Sequence, residues 1–163
     1  MTAATAAQIE SGQATAGVIA PPPLIYLGAL GFGFGLNAVI GTGSLPSTLA
    51  VPIGAASIIT GAGLMGSFVR AFRRARTPID PYMPSEAFVT VGPYRLTRNP
   101  GYLGMALTYA GIAIVSNAPW ALVPLPVAIA VIDRGVIARE ERYLERKFGT
   151  PYVDYKRRVR RWI

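Results

Sequence analysis

Residues 92–104 read Gly92-Pro93-Tyr94-Arg95-Leu96-Thr97-Arg98-Asn99-Pro100-Gly101-Tyr102-Leu103-Gly104 and join a Pro-rich connector to a long apolar run. Two prolines, together with the Gly-Pro and Pro-Gly pairs, are incompatible with a regular helix, so the backbone here is predicted to be irregular. Irregular polar backbone at the edge of a membrane segment is tolerated only when it is buried in protein or lines a cavity. The stretch is therefore the first candidate ligand site.

The rest of the chain is dominated by apolar runs. Hydrophobic residues make up 52% of the 163-residue chain and charged residues 15%, which is too apolar for an ordinary soluble domain. A transmembrane helix needs about 20 predominantly apolar residues. Four runs approach that length, and the last two are paired by the tight turn Asn117-Ala118-Pro119; the predicted spans are residues 22–41, 49–69, 102–117 and 119–138. Ser57 and Gly61 in the second run are spaced as in closely packed membrane helices.

The sequence thus predicts an all-α integral membrane protein with four transmembrane helices. Residues 1–20 are predicted to be a mobile N-terminal tail, and residues 21–163 a single domain. Residues 139–163 combine basic and apolar positions at helical spacing, with a stop and restart at Gly149 and Pro151, and are predicted to form an amphipathic helical cap.

Charge predicts the orientation. All 16 Lys and Arg residues lie from Arg70 onward, four of them within residues 70–76, and residues 1–69 carry only Glu10 as a charged side chain. Positive charge collects on the cytoplasmic side of membrane proteins, so both termini and the site are expected on the cytoplasmic side of the inner membrane. The apolar runs favour a membrane partner and argue against nucleic acid as the reason for the net charge of +8.

Composition also restricts the chemistry. The chain contains no Cys and no His, which excludes thiol nucleophiles, disulfides and metal sites of the Cys/His type, and removes the commonest general base. No metal is predicted. Any reaction has to use Glu, Asp, Tyr, Arg, Asn or the backbone.

Two groups of residues are candidates for a site. Arg98 and Asn99 precede a helix start at Pro100, where free backbone N–H groups and a guanidinium favour a carboxylate or phosphate ligand. The alternative is an anchor for lipid headgroups.

The second group is Glu140 and Glu141, which lie at the end of the fourth run, where a carboxylate is a functional candidate. Adjacent residues of a helix point about 100° apart, so the two cannot face each other as an acid pair. A salt bridge to Arg95, Arg98 or Arg139 is their alternative role.

The two groups of residues, and their order along the chain, make this sequence resemble the isoprenylcysteine carboxyl methyltransferase and phospholipid methyltransferase family. The resemblance covers about residues 77–163 and rests on the stretch 92–104, the acidic pair 140–141, and the residues Leu144, Phe148-Gly149, Tyr152, Tyr155 and Arg158-Val159-Arg160-Arg161-Trp162. It implies a small integral membrane enzyme that transfers a methyl group from S-adenosylmethionine to a lipid or lipidated acceptor in the bilayer.

The resemblance also implies residue roles. The expected cofactor-binding residues are Arg98, Asn99, Pro100, Tyr102, Gly104, Glu140, Tyr152, Tyr155 and Arg158, and the expected catalytic residues are Glu140, Glu141 and Arg98. Many family members have His where this chain has Asn99. An amide can hydrogen-bond but cannot titrate near neutral pH, so this position is not expected to accept a proton.

The acceptor stays open between an isoprenylcysteine-like carboxylate, a lipid headgroup such as a phospholipid amine, a small thiol and another lipid carboxylate, and so does the choice between Glu140 and Glu141 as a base. The competing function is a non-enzymatic membrane scaffold whose basic cap binds anionic lipid. The sequence leaves the oligomeric state open.

Overall fold

The computed structural model describes residues 16–41, 45–79, 83 and 87–163, and every regular element in these ranges is helical. The α-helices are α1 (Pro22–Ile40), α2 (Ser47–Ala75), α3 (Pro100–Val115), α4 (Leu125–Ile132), α5 (Ala138–Phe148) and α6 (Thr150–Arg158). Short 3-10 turns cover Gly92–Arg95 and Pro119–Leu122, and a π-helical turn, Asp133–Ile137, joins α4 to α5. The prediction of an all-α membrane protein is confirmed.

Three helical stretches in the described residues are long and apolar enough to cross a membrane, namely Pro22–Ile40, Ser47–Ala75 and the continuous Pro119–Phe148. The apolar α3 is shorter, with 16 residues. Four spans therefore stay a prediction. Helix α2 continues beyond the predicted end at residue 69, because arginines are good helix formers and no proline or glycine stops the helix there. The first helix of the predicted cap continues the fourth run without a break.

Two compact units make up the described chain. One contains residues 16–19, 67–79, 83, 87–99 and 133–163, and includes every Lys and Arg of the chain; we call it the basic unit. The other contains the described residues of 20–66 and 100–132, has no charged side chain, and is called the apolar unit. The chain passes repeatedly from one unit to the other, so each unit is assembled from distant segments.

Close contact between α2 and α3 determines the packing of the apolar unit. A Cβ atom added to Gly104 would lie 2.8 Å from the carbonyl oxygen of Gly61, and one added to Gly111 would lie 2.7 Å from that of Gly54. The Ser57 hydroxyl donates a 2.8 Å hydrogen bond to the Leu107 carbonyl. Small residues thus bring the two backbones into contact, as the spacing of Ser57 and Gly61 predicts.

The turn at residues 116–118 ends α3 as predicted. Asn117 has a positive φ of 51°, which Asn tolerates better than most residues. Its side-chain amide accepts a 2.9 Å hydrogen bond from the Leu45 N–H and donates a 3.2 Å bond to the Leu45 carbonyl. The Tyr109 hydroxyl donates a 2.7 Å hydrogen bond to the carbonyl of Ala121, which fixes the chain after the turn against α3.

Residues 17–19, at the end of the predicted tail, are packed within the basic unit. Val18 is buried, the Ile19 side chain fills the space beside Gly135, and Arg139 Nη1 donates a 2.9 Å hydrogen bond to the Gly17 carbonyl. These residues thus contact apolar and polar groups of α5 and the π-helical turn, and a mobile tail over residues 1–20 stays a prediction. The rest of the tail up to residue 15, and Pro81 and Pro84 of the connector, lie outside the described residues.

Candidate active site

The stretch 92–104 is irregular only as far as Asn99; residues 100–104, also predicted to be irregular, form the start of α3, because proline is tolerated at the first position of a helix. Gly92 has a positive φ of 64°, the 3-10 turn follows, and Pro93 is buried. Thr97 is 2% exposed and its hydroxyl accepts a 3.2 Å hydrogen bond from the Asn99 N–H. The Thr97 hydroxyl thus takes the place of a backbone acceptor, and this hydrogen bond fixes the backbone on both sides of Arg98.

The C-terminal segment Arg160–Trp162, which we call the C-terminal strap, is bound along this stretch. The Arg160 carbonyl accepts a 3.0 Å hydrogen bond from the Arg98 N–H. The Arg161 carbonyl accepts bonds from Asn99 Nδ2 at 2.9 Å and from Thr97 Oγ1 at 3.1 Å. The Asn99 amide, 8% exposed, is thus used as a donor to the strap.

Glu141 lies at the centre of the charged groups of the basic unit. It is 5% exposed. Its Oε1 lies 2.7 Å from Arg98 Nη1 and 3.1 Å from Arg161 Nε, and its Oε2 lies 2.5 Å from Arg161 Nη2 and 3.8 Å from Lys156 Nζ. Both carboxylate oxygens are therefore engaged by cations, and the salt bridge to Arg98, weighed above as an alternative, is present at Glu141.

The Arg98 guanidinium is paired without being fully hydrogen-bonded. Its side chain is 11% exposed. The 2.7 Å contact with Glu141 lacks the direction of a hydrogen bond, so it is an ion pair, and among the described residues neither Nε nor Nη1 of Arg98 has a hydrogen-bond acceptor. Buried N–H groups without acceptors are rare and costly, which marks this side chain as one that can take a further acceptor.

Arg161 extends the charged group to the start of the π-helical turn. Its Nη1 lies 2.9 Å from Asp133 Oδ2, and Asp133 Oδ1 accepts a 2.9 Å hydrogen bond from Trp162 Nε1. The hydrogen bond to Glu141 raises the pKa of the Arg161 guanidinium, with burial opposing and both acidic charges adding to the increase. Arg161 is therefore held cationic between two carboxylates.

The tyrosines of α6 lie in an aromatic cluster. The Phe88 ring lies 5.4 Å from Tyr152 and 5.2 Å from Tyr155, centroid to centroid. Burial raises the pKa of Tyr152, with the Glu141 charge adding to the increase and Arg98 opposing it, and burial raises the pKa of Tyr155 to about 12 against the opposing charge of Arg98. The Tyr155 hydroxyl donates a 2.7 Å hydrogen bond to the Tyr94 carbonyl. Tyr152 and Tyr155 thus hold helix α6 against the connector, through ring contacts with Phe88 and the hydrogen bond to Tyr94.

Glu140 lies near Tyr94 on a different side of α5 from Glu141. It is partly exposed. Burial raises the pKa of Tyr94 well above its usual value, and the negative charge of Glu140 is the next largest cause. The two glutamates thus have different surroundings, as the 100° offset between adjacent helical residues predicts.

The structure brings together only part of the predicted site. Arg98, Asn99, Glu141, Tyr152 and Tyr155 share the basic unit and are linked through the contacts above. The predicted cofactor residue Arg158 is exposed, and its Nε donates a 3.2 Å hydrogen bond to the Asp154 carbonyl of its own helix. It does not join the charged group, because α6 ends at Arg158 and the chain becomes extended at Val159.

Pro100, Tyr102 and Gly104 belong to the apolar unit. Pro100 begins α3, and Gly104 contacts α2. The Tyr102 carbonyl accepts a 3.2 Å hydrogen bond from the Tyr26 hydroxyl. Helix packing thus accounts for the small size of Gly104, and the expected contribution of these three residues to cofactor binding stays a prediction.

The sequence-based site did not include Asp133, Lys156, Arg161 and Trp162. Arg161 and Trp162 lie within the run that carries the family resemblance, but nothing in that run distinguishes Arg161 from Arg158 or Arg160. Asp133 was visible as an acidic residue eight positions before Glu141. Its contact with the strap depends on the π-helical turn, which the sequence does not reveal.

Comparison with known proteins gives the class. The sequence profile of the phospholipid methyltransferase family matches residues 49–151. The chain is 32% identical over 71 residues to Protein-S-isoprenylcysteine O-methyltransferase B of Arabidopsis thaliana; the match covers 44% of this chain and 36% of that protein. It is 42% identical over 62 residues to an uncharacterized protein of Haemophilus influenzae, covering 38% of this chain and 78% of the relative. No solved structure matches the chain significantly.

The fold and these matches define a membrane methyltransferase. The chain belongs to the phospholipid methyltransferase family. The family resemblance seen in the sequence is confirmed.

Proposed function

We propose that this protein transfers the methyl group of S-adenosylmethionine to a membrane-soluble acceptor, with the cofactor bound in the basic unit on the cytoplasmic side. The family and the plant isoprenylcysteine methyltransferase relative support the donor and the lipid-like acceptor. The observation that carries the site is the buried Arg98 guanidinium, whose Nε and Nη1 make no hydrogen bond to the described residues.

The residues present fit this cofactor. S-Adenosylmethionine carries a carboxylate, an ammonium group and a methyl-bearing sulfonium, and when bound it would supply a methyl group already activated for transfer. Arg98 offers N–H groups that lack acceptors in the described residues, and a guanidinium N–H forms a charge-assisted hydrogen bond with a carboxylate. Glu140 offers a carboxylate to the ammonium group, and the rings of Tyr152 and Tyr155 offer aromatic groups that favour a nearby cation.

The roles of the two glutamates differ in this proposal. Glu141 holds Arg98 and Arg161, and three cations occupy its two oxygens. It therefore positions Arg98. Glu140 is partly exposed and points to a different side of α5 from Glu141, and we propose it as the candidate base. An amine or thiol acceptor would lose its proton to Glu140, whereas a carboxylate acceptor needs no base.

The remaining work of the protein is alignment and exclusion of water. Methyl transfer requires the nucleophile and the methyl carbon to be held in line, and fixed orientation is worth several kcal/mol in such reactions. Asn99, Thr97 and the strap carbonyls fix the Arg98 segment through three hydrogen bonds. We propose that this network keeps the guanidinium in place for the cofactor carboxylate.

Calorimetric titration of the detergent-purified protein with S-adenosylhomocysteine tests the cofactor assignment. Arg98→Ala should weaken binding at least about tenfold, because a charge-assisted hydrogen bond to the cofactor carboxylate is lost, and Arg98→Lys should recover only part of the affinity. Arg95→Ala is the matched control, since Arg95 is exposed on the same stretch. No binding by the parent protein at high micromolar ligand would overturn the proposal.

The acceptor is tested by transfer of a radiolabelled methyl group into extracted lipids and prenylated peptides. If the acceptor is an amine or thiol, Glu140→Gln should lower turnover by about 100-fold or more, the usual worth of a general base. A carboxylate acceptor predicts a much smaller loss for the same variant. Labelling of no lipid or lipidated peptide would rule out a membrane-soluble acceptor.

A further inference from the structure

Asp133 lies at the first position of the π-helical turn and binds two consecutive side chains of the C-terminal strap. Its Oδ2 is 2.9 Å from Arg161 Nη1, and its Oδ1 accepts a 2.9 Å hydrogen bond from Trp162 Nε1. The Asp133 and Arg161 side chains are 27% and 32% exposed. One carboxylate therefore anchors the strap through both of its oxygens.

The π-helical turn makes this anchoring possible. Asp133 and Glu141 are eight residues apart, and in a straight α-helix with 3.6 residues per turn they would point about 80° away from each other. The π-helical turn, with its wider i→i+5 hydrogen bonding, changes this register. Both carboxylates consequently reach one guanidinium, that of Arg161, which donates to each of them.

The turn itself is held in place. Val136 and Ile137 are fully buried, and the Ile19 side chain occupies the space beside Gly135, where any larger residue would collide with it. Arg139, in the following helix, is bonded to the Gly17 carbonyl. Asp133 is thus presented from a packed element.

The backbone of the strap links Asp133 to the proposed cofactor site through hydrogen bonds. The carbonyls of Arg160 and Arg161 accept hydrogen bonds from Arg98, Thr97 and Asn99. If the strap moved away, these three bonds would be lost together. The Arg98 segment would then lose the contacts that determine its position.

We propose that Asp133 is a positioning residue: by anchoring Arg161 and Trp162 it holds the strap against residues 97–99, and so sets the geometry in which Arg98 meets the cofactor. This inference rests on the proposed function for its role in cofactor binding. The anchoring of the strap is measurable without any ligand.

The test uses the full chain in detergent. The sequence has two tryptophans, Trp120 and Trp162, so Trp120→Phe leaves Trp162 as the sole fluorescent reporter of the strap. In this background Asp133→Asn, which has the same shape but no charge, should raise acrylamide quenching of Trp162 about threefold, because a charge-assisted contact is replaced by a weaker neutral one. Asp154→Asn is the control, since Asp154 is exposed and paired only with the neighbouring Arg157 in the ion pairs of the described chain.

The role of the strap in cofactor binding is tested by measuring the Kd and kcat separately. Asp133→Asn and Trp162→Phe, the latter with the natural Trp120 retained, should each raise the Kd for S-adenosylhomocysteine about tenfold, equivalent to loss of one well-formed hydrogen bond, and leave kcat at saturating cofactor within about twofold. Asp133→Glu should recover part of the affinity. Trp162→Phe keeps the ring and loses only the N–H, so it tests the same contact independently.

Unchanged quenching in Asp133→Asn would overturn the anchoring. Increased quenching with an unchanged Kd in both variants would overturn the positioning role and leave the strap a purely structural element. Absence of binding by the parent protein would overturn the proposed function, and the positioning role with it, while the ligand-free quenching would still decide the anchoring separately.

Discussion

The Glu141 carboxylate and the Arg98 guanidinium approach to 2.7 Å with only 7% and 11% of their side chains exposed. Arg161 and Lys156 lie on the same carboxylate. A buried charge is tolerated when it is paired and hydrogen-bonded, and removing one partner leaves the others uncompensated. Glu141 therefore holds together the stretch before α3, helix α5, helix α6 and the strap.

Glu141→Gln should destabilise the protein by about 3–5 kcal/mol, because the neutral amide leaves Arg98 buried without a counter-charge. The free energy of unfolding of the purified protein in detergent measures this effect. Glu145→Gln is the matched control on the same helix. Its partner Lys156 and Glu145 itself are about one-third exposed, so the control should lose no more than about 1 kcal/mol. Equal losses of unfolding free energy in Glu141→Gln and Glu145→Gln would show that the buried charged group contributes no more to stability than a half-exposed ion pair.

The raised pKa of Tyr155 leads us to expect a loss of stability at high pH. Burial raises its pKa to about 12 against the opposing Arg98 charge, whereas a tyrosine in the unfolded chain ionises near pH ~10. The folded state keeps a proton that the unfolded state has lost, so this stabilisation is fully present below pH ~10 and disappears as the pH rises to about 12. Unfolding curves across this range should show it, and the phenolate absorbance should rise later than in denatured protein.

Tyr155→Phe is the control for that experiment. The variant loses the 2.7 Å hydrogen bond to the Tyr94 carbonyl, at a cost of about 1 kcal/mol near neutral pH. Its stability should fall less steeply between pH ~10 and 12, because one titrating group has been removed. Tyr94 and Tyr152, whose pKa values burial also raises, contribute to the steepness that remains. An identical slope in both proteins would rule out Tyr155 as a source of the pH dependence.

Much of this organisation could be predicted from the sequence because it depends on composition and local chemistry. The charge-free runs correspond to the apolar unit, and every basic residue lies in the other unit. The Gly92-Pro93 pair predicts the irregular backbone before α3, and Asn117 beside Pro119 predicts the turn. These features need only the preferences of a few adjacent residues.

The charged group could be predicted only in part, because its members are distant in sequence. Glu141 was a candidate, but its three cations come from residues 98, 156 and 161, and several other arginines are equally plausible partners. Arg158 and Arg161 look alike in the sequence. They differ because α6 ends between them, so that one stays on the exposed surface of the helix while the other turns toward Glu141.

Gly104 permits a test that separates packing from cofactor binding. A Cβ at this position would lie 2.8 Å from the Gly61 carbonyl oxygen and 2.8 Å from the Met65 side chain. Gly104→Ala should therefore destabilise the protein by about 1–3 kcal/mol, and Gly61→Ala, on the other side of the same contact, by a similar amount. Thermal unfolding in detergent measures both.

Gly63→Ala is the control for the glycine variants, because nothing lies within 4 Å of a Cβ placed there and Ala favours the helix. It should be neutral or slightly stabilising. The Kd for S-adenosylhomocysteine distinguishes the two roles of Gly104. If Gly104→Ala weakens binding much more than the equally destabilising Gly61→Ala, helix packing is not a sufficient explanation and the cofactor role implied by the family motif gains support.

The absence of cysteine makes the predicted orientation directly testable, since each introduced cysteine is the single thiol of the chain. Ser116→Cys, exposed beside the uncharged turn, should react with a membrane-impermeant maleimide in spheroplasts. Arg146→Cys, exposed on α5 among the basic residues, should react only after the membrane is opened, because positive charge is retained in the cytoplasm. Labelling after lysis confirms that each thiol is accessible. Four spans require the two positions to lie on opposite sides, so equal labelling of both in intact spheroplasts would contradict the topology: α3, with 16 residues, would then not cross the bilayer together with the helix that follows it.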